Sequence, residues 1–238
     1  MAEAIPHATI DALARSIYKE ASTYGFQQVD IIRLINELMD LCTDGDGVEG
    51  TPVGEDRVAT DFITGQVTRL PLSGEHISIR TYDEGKDRNL LERWLPDRYG
   101  RYFVLSCATA QSITIDALSS SPNNHLGIIT LLDGRPIGAM AYLDHSRQQK
   151  RAELRKLIGD LDARGQGLAE EATRLWIRYG VQVLGLEKIY VSTLQTQLAN
   201  IKLNERVGFR VEGLLHNEIL IDGVRHDVLR MGMFFGQK

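Results

Sequence analysis

Cysteine is scarce: the 238 residues hold two, Cys42 and Cys107. They make no metal-ligand spacing and no disulfide framework, which fits a reducing cytosol and predicts no metal. Long apolar runs are missing too. No stretch approaches the ~18–20 consecutive apolar residues that span a bilayer. The opening MAEAIPHATIDALARS lacks a basic flank followed by an apolar stretch, so it does not read as a secretory signal. Positive charge is in deficit, with a net of −5. That argues against a nucleic-acid binder, which needs a clustered basic surface to neutralise phosphates. No G-x-x-x-x-G-K-[ST] loop occurs, and the glycine loop at Arg164–Ala169 does not meet the G-x-G-x-x-G dinucleotide fingerprint. With 43% hydrophobic and 25% charged residues, the chain has the composition of a globular protein.

The charge that is present is uneven. Residues 1–75 carry 13 acidic and 5 basic side chains, and residues 76–238 carry 19 and 22. An acidic front and a mildly basic body suggest two units, and the sign of the body suits a phosphorylated ligand. The front reads as helical. Thr9 is expected to cap a segment with Ile10, Leu13, Ile17 and Ala21 on one face, ending near Gly25. A second segment carries Ile31, Ile32, Leu34, Ile35, Leu38 and Met39 at helical spacing. Two such helices bury too little area to fold alone. They are expected to pack on the body or on a second copy, making a homodimer. Residues 46–75, rich in Gly, Asp and Glu, read as linker. The organisation is therefore a helical extension over 1–45, a linker over 46–75 and a body over 76–238.

The body alternates strands and helices. His76–Tyr82 reads as a strand, and Asp83 caps a helix running to Leu95. A further helix is expected around Ile113–Leu118. Leu126–Leu132 and Pro136–Leu143 are apolar strands joined by Asp133-Gly134, a dipeptide suited to a two-residue hairpin. Ala152–Ile158 is a strand, Leu168–Leu184 a helix stopped at Gly185, Lys188–Leu194 a strand and Gln197–Val207 a helix. Phe209–Ile221 and Val224–Met233 close the chain as a hairpin. The fold class is α/β with a mixed sheet.

One loop carries the chemistry. In Ile158-Gly-Asp-Leu-Asp-Ala-Arg164-Gly165-Gln166-Gly167-Leu168-Ala169 a strand ends, a glycine-containing loop follows, and a long helix begins. Helix N-termini expose unpaired N–H groups and about half a positive charge, which suits an anion. Gly165 and Gly167 let the backbone approach a bulky phosphate, and Arg164 adds a fixed charge. The loop predicts a pyrophosphate cradle. The alternative is a surface loop whose glycines only turn the chain.

These residues resemble the GNAT superfamily of N-acetyltransferases, whose signature [Q/R]-x-x-G-x-[G/A] is met by Arg164, Gly167 and Ala169. Asn204-Glu-Arg-Val-Gly208-Phe209 is similar to the helix end and Gly-Phe of the family. The tail Glu212-Gly-Leu214…Asp222-Gly-Val-Arg-His-Asp227 looks like its ribosomal-protein N-terminal and amino-sugar acetyltransferase branch. The resemblance covers about residues 76–236. It implies a mixed, mostly antiparallel sheet flanked by helices, parted so that acetyl-CoA enters as cosubstrate. Leu157, Ile158 and Gly159 would line the pantetheine arm. Arg164, Gly165, Gln166, Gly167, Leu168 and Ala169 would hold the pyrophosphate. Asn200 matches a position that often contacts the cofactor, or is a polar residue on a half-exposed helix face.

Acetyl transfer needs a neutral amine, a stabilised oxyanion and a protonated thiolate. A backbone N–H near Leu157 or Ile158 is the expected oxyanion donor. Glu153 is the expected base, against the reading of a salt-bridged strand carboxylate. The family's frequent tyrosine acid is replaced by Asn204, which cannot donate a proton at neutral pH, so the acid is unassigned. His216, His226, Trp94, Tyr99, Tyr102 and Phe103 fall where relatives shape the acceptor pocket, or are structural. The resemblance implies an N-acetyltransferase acting on an amino-sugar nucleotide or similar metabolite. The alternatives are a protein N-terminal acetyltransferase and a catalytically silent acyl-CoA-binding module.

Overall fold

The computed structural model describes residues 7–27, 30–31, 34, 67, 69–97, 100, 103, 105–106, 111–112, 114–193, 198–221 and 223–236. The chain divides into two units, 1–56 and 57–238. In the first, helix α1 spans His7–Thr23 and the chain turns at Gly25 with φ +79°. The helix starts ahead of Thr9, which therefore lies inside it and does not cap it. The sequence sets Pro6 just before the first turn, where its missing N–H costs no helical bond. Ala21 is buried, whereas Ile17 of the same expected face is exposed. Of the second expected segment, Ile31 and Leu34 are described and helical. Cys42, Cys107, Ile35, Leu38 and Met39 lie outside the described residues.

The second unit is built on a sheet of eight strands among the described residues. In chain order these include β1 Leu72–Ser73 and β2 Ile77–Thr81, then helix α2 Glu84–Trp94. A separate short ladder of β3 Leu105–Ser106 and β4 Gln111–Ser112 follows, then helix α3 Ile115–Ser120. Next come β5 His125–Leu131, β6 Pro136–Ser146, β7 Arg151–Ile158, α4 Leu168–Gln182, β8 Lys188–Thr193, α5 Leu198–Val207, β9 Arg210–Ile221 and β10 Val224–Phe234. The sheet order is β1-β2-β5-β6-β7-β8-β10-β9, antiparallel throughout except for β7 beside β8. This is the mixed, mostly antiparallel, helix-flanked sheet that the family resemblance implies.

Local chemistry sets the boundaries. Asp83 caps α2 by accepting the Gly85 N–H, and Thr114 caps α3 through the Ala117 N–H. The β5–β6 connection is a four-residue loop, closed by Leu131 N–H to Arg135 O at 2.9 Å, rather than the two-residue turn expected. Gly134 has positive φ there but Asp133 does not, and a two-residue type I′ turn needs both. β1 lies within residues read from sequence as linker, and its Leu72 is buried.

The sheet has two apolar faces. Against one, α4 packs Leu168, Ala172, Leu175 and Trp176 onto Tyr142, Ala152, Leu154 and Ile189. The other gathers Leu91, Trp94, Phe103 and Leu118 with Ala139, Ala141, Leu143 and Leu157. Successive β7 residues face opposite sides, so Leu154 joins the first core and Leu157 the second.

Candidate active site

Two neighbouring strands part in the middle of the sheet. Among the described residues, β7 and β8 pair only where Arg151–Glu153 meets Lys188–Tyr190. Beyond Glu153, β7 stays bonded to β6, with Leu157 opposite Ala139 and Ile158 opposite Gly138. Gly159 donates its N–H to the Ile137 carbonyl at 2.9 Å. Alternation along an antiparallel pair then turns the N–H groups of Lys156 and Ile158 away from β6, toward the gap. Of the two expected oxyanion donors, Ile158 is the one whose amide faces the opening. A cavity of about 540 Å³ fills the gap.

The loop after β7 closes one end of that cavity. Asp160 starts a short 3₁₀ turn, Leu161–Ala163, by accepting the Asp162 N–H at 3.0 Å. Gly165 and Gly167 follow with φ of +78° and +81°, a conformation L side chains resist. A Cβ on either would meet nothing within 4 Å. Handedness therefore demands these glycines, and the space beside them is open to a ligand. Gly167 is the N-cap of α4 and provides no side-chain cap. The first amides of a 15-residue helix thus begin at the cavity wall.

Arg164 is turned inward. Its Nε donates to the Ile158 carbonyl at 2.9 Å, and its Nη2 donates to Asp97 Oδ2 at 2.8 Å. The guanidinium thus ties the loop to the end of β7, with its charge partly offset. Leu157, Ile158, Arg164, Gly165, Gly167, Leu168, Ala169 and Asn200 line one cavity. Gly159 and Gln166 do not line it. A Cβ on Gly159 would lie 2.2 Å from the Trp94 indole, and Gln166 donates to the Asp162 carbonyl.

Glu153 is fully buried, with Oε1 2.8 Å from Arg155 Nη2. Arg155 lines the cavity and Glu153 sits behind it. Phe103 reaches the cavity wall, and Trp94 is core. Tyr99 and Tyr102 lie outside the described residues. His216 is exposed on the closing hairpin, 3.3 Å from Asp227 Oδ2, and His226 is half-buried; neither lines the cavity.

Sequence reasoning missed Lys156. It lines the cavity, donates from Nζ to Asn204 Oδ1, and is pushed down to about 7 by burial. A signal was present: Lys156 follows Ala152 and Leu154 on a strand face that is otherwise apolar.

Comparison with known proteins bears on this geometry. A spermidine N(1)-acetyltransferase of Escherichia coli (strain K12) is 32% identical over 102 residues, 43% of this chain. The match spans about half, 54%, of that relative. "Probable N-acetyltransferase YjcK" of Bacillus subtilis is 28% identical over 146 residues, covering 60% of this chain and 80% of the relative. The fold is shared with the crystal structure of spermidine N-acetyltransferase from Vibrio cholerae in complex with CoA and spermine. That likeness has a TM-score of 0.56 at 20% identity, covering 68% of this chain and 97% of the other. The family model described as an acetyltransferase (GNAT) domain matches residues 77–210, from the second strand past the cavity to the start of the closing hairpin. With more than half its length matched, the chain belongs to the GNAT acetyltransferase family.

Proposed function

We propose that this protein transfers the acetyl group of acetyl-CoA to a primary amine. One observation carries the reading. A single gap joins an uncapped helix N-terminus, two left-handed glycines beside open space, and the edge of β7 beyond Glu153, which no described residue of β8 joins in a ladder. An anionic, extended ligand with hydrogen-bonding amides along its length fits all three features. Gly165 to Ala169 would hold its phosphates, with Arg164 holding the loop in shape. The amides on the open side of β7 would hold its arm. Bound there, acetyl-CoA supplies a thioester already activated for acyl transfer. Ile158, through its N–H, would stabilise negative charge developing on the acyl oxygen. Glu153, one ion pair behind the wall, is proposed to draw the surplus proton of the incoming amine through water.

Two acceptor chemistries have separate support. The tail resemblance favours an amino-sugar nucleotide, and the relatives' names favour a polyamine. The cysteine usage adds a cytosolic setting to the proposal, and the apolar front adds a homodimer. The test is free-thiol release from acetyl-CoA with a panel of spermidine, amino-sugar nucleotides and peptide N-termini. Acetyl-CoA should raise the melting temperature by mass action, and one amine class should release thiol. Binding without release for every amine would favour the silent module, and absence of binding would overturn the reading.

A further inference from the structure

The cavity wall carries a cation with no part in the transfer as described so far. Lys156 stands on the same β7 face as Ala152 and Leu154, whose side chains enter the α4 core. Its chain runs beside that core, yet its Nζ ends in the cavity wall on Asn204 Oδ1. Asn204, on α5, is 1% exposed, and its Nδ2 donates to Met231 Sδ on β10 at 3.8 Å. The amide is therefore held from both ends and fixes where the ammonium points. The surrounding charges are engaged elsewhere. Arg155 faces the other side of β7 and pairs with Glu153; Arg164 pairs with Asp97. Glu170, on the first turn of α4, takes Arg174 and Arg206. Among the described residues, no carboxylate pairs with Lys156.

We propose that Lys156 is the proton donor to the departing sulfur of coenzyme A, with Asn204 as its positioning residue; this rests on the acetyltransferase reading. The balance is simple. The amine nitrogen bonds to the acyl carbon, the carbon–sulfur bond breaks with its electron pair on sulfur, and a Lys156 N–H proton passes to that sulfur. The amine's surplus proton is drawn through water by Glu153 and passes on to solvent, and solvent reprotonates Lys156. Asn204 has no proton to give, so it cannot fill this role itself. Burial supports the direction of transfer. An ordinary lysine, at 10.5, would give up its proton uphill to a thiolate of about 8.5, whereas Lys156 at about 7 gives it downhill.

The experiment uses the full chain, Lys156→Arg and Lys156→Met. Nitrogen NMR of lysine-labelled protein, with the Lys156 signal identified by its loss in Lys156→Arg, should show titration near 7 and a shift on adding coenzyme A. Calorimetry should find acetyl-CoA affinity within about threefold of wild type in both variants, while kcat falls about 100-fold. The alkaline limb of the wild-type kcat profile should vanish with them, because a guanidinium does not give up its proton in that range. Titration at the ordinary lysine value, a signal indifferent to coenzyme A, or full kcat in Lys156→Arg would each overturn the proposal. If Lys156→Met does not fold, the NMR titration and Lys156→Arg decide. A wild type that releases no thiol with any amine overturns the acetyltransferase reading and this proposal together. An active wild type with active variants overturns this proposal alone.

Discussion

Glu153 and Arg155 are two residues apart on one strand face, both buried, at 0% and 6% exposure. Ion pairs of this kind contribute little against an apolar replacement, but removing one partner strands the other charge, typically at about 3–5 kcal/mol. Because Arg155 lines the cavity, the carboxylate behind it also sets how firmly that guanidinium is held. Glu153→Gln keeps the shape and removes the charge. For a chain of this size it should lower the melting temperature by roughly 6–20 °C, at ~2–4 °C per kcal/mol. The test also weighs the proposed base. An unchanged melting temperature with a displaced acidic limb of kcat/KM would assign Glu153 to proton transfer and not to holding Arg155.

The loop between β7 and α4 shows what one element's sequence can reveal. Glycine handedness and a helix start are local properties, so Gly165, Gly167 and the beginning of α4 were legible without neighbours. The strand-to-helix order around them was legible for the same reason. The parting of β7 from β8 followed only from the family resemblance and not from the residues themselves, because it depends on where Lys188–Thr193 lies after a 15-residue helix has intervened. The Lys156–Asn204 contact joins residues 48 positions apart and carries no periodic signal. The inward turn of Arg164 depends on Asp97, 67 positions away. A residue's type suggested the loop's chemistry, and only the fold decided which side chains face the ligand. A substitution series follows from the handedness. Gly165→Ala and Gly167→Ala should each cost about 1–2 kcal/mol, shared between stability and acetyl-CoA affinity. Gly134, also at positive φ in open space but outside the cavity wall, is the control. Gly134→Ala should lower the melting temperature with acetyl-CoA affinity unchanged. Equal behaviour of all three in calorimetry would show that the loop's shape is irrelevant to binding.

The division of the whole chain changes what a minimal catalytic fragment must contain. Composition placed the start of the body at residue 76, with 46–75 as linker, and a fragment starting near Ser73 would follow from that. The second unit begins earlier, at Arg57. Leu72 is 3% exposed within the α4 core, Val67 and Leu70 pack against that core, and the Val67 N–H donates to Gln182 Oε1 at 2.7 Å. The Gly and acidic content that suggested a linker says little of Val67–Leu72, where a few apolar residues suffice to dock an edge strand. Burying Leu72 alone is worth about 1.5–3 kcal/mol. A fragment of 57–238 should therefore fold and bind acetyl-CoA with the affinity of the full chain. A fragment starting at Ser73 should fold with a melting temperature roughly 3–12 °C lower. Light scattering on the longer fragment tests the proposed homodimer separately. If Ile31, Ile35, Leu38 and Met39 form the contact between copies, removing 1–56 should leave the fragment a monomer with its acetyl-CoA affinity intact. A fragment that is still a dimer would remove those side chains from the interface. A 57–238 fragment that fails to fold would show instead that the first unit belongs to the body's stability.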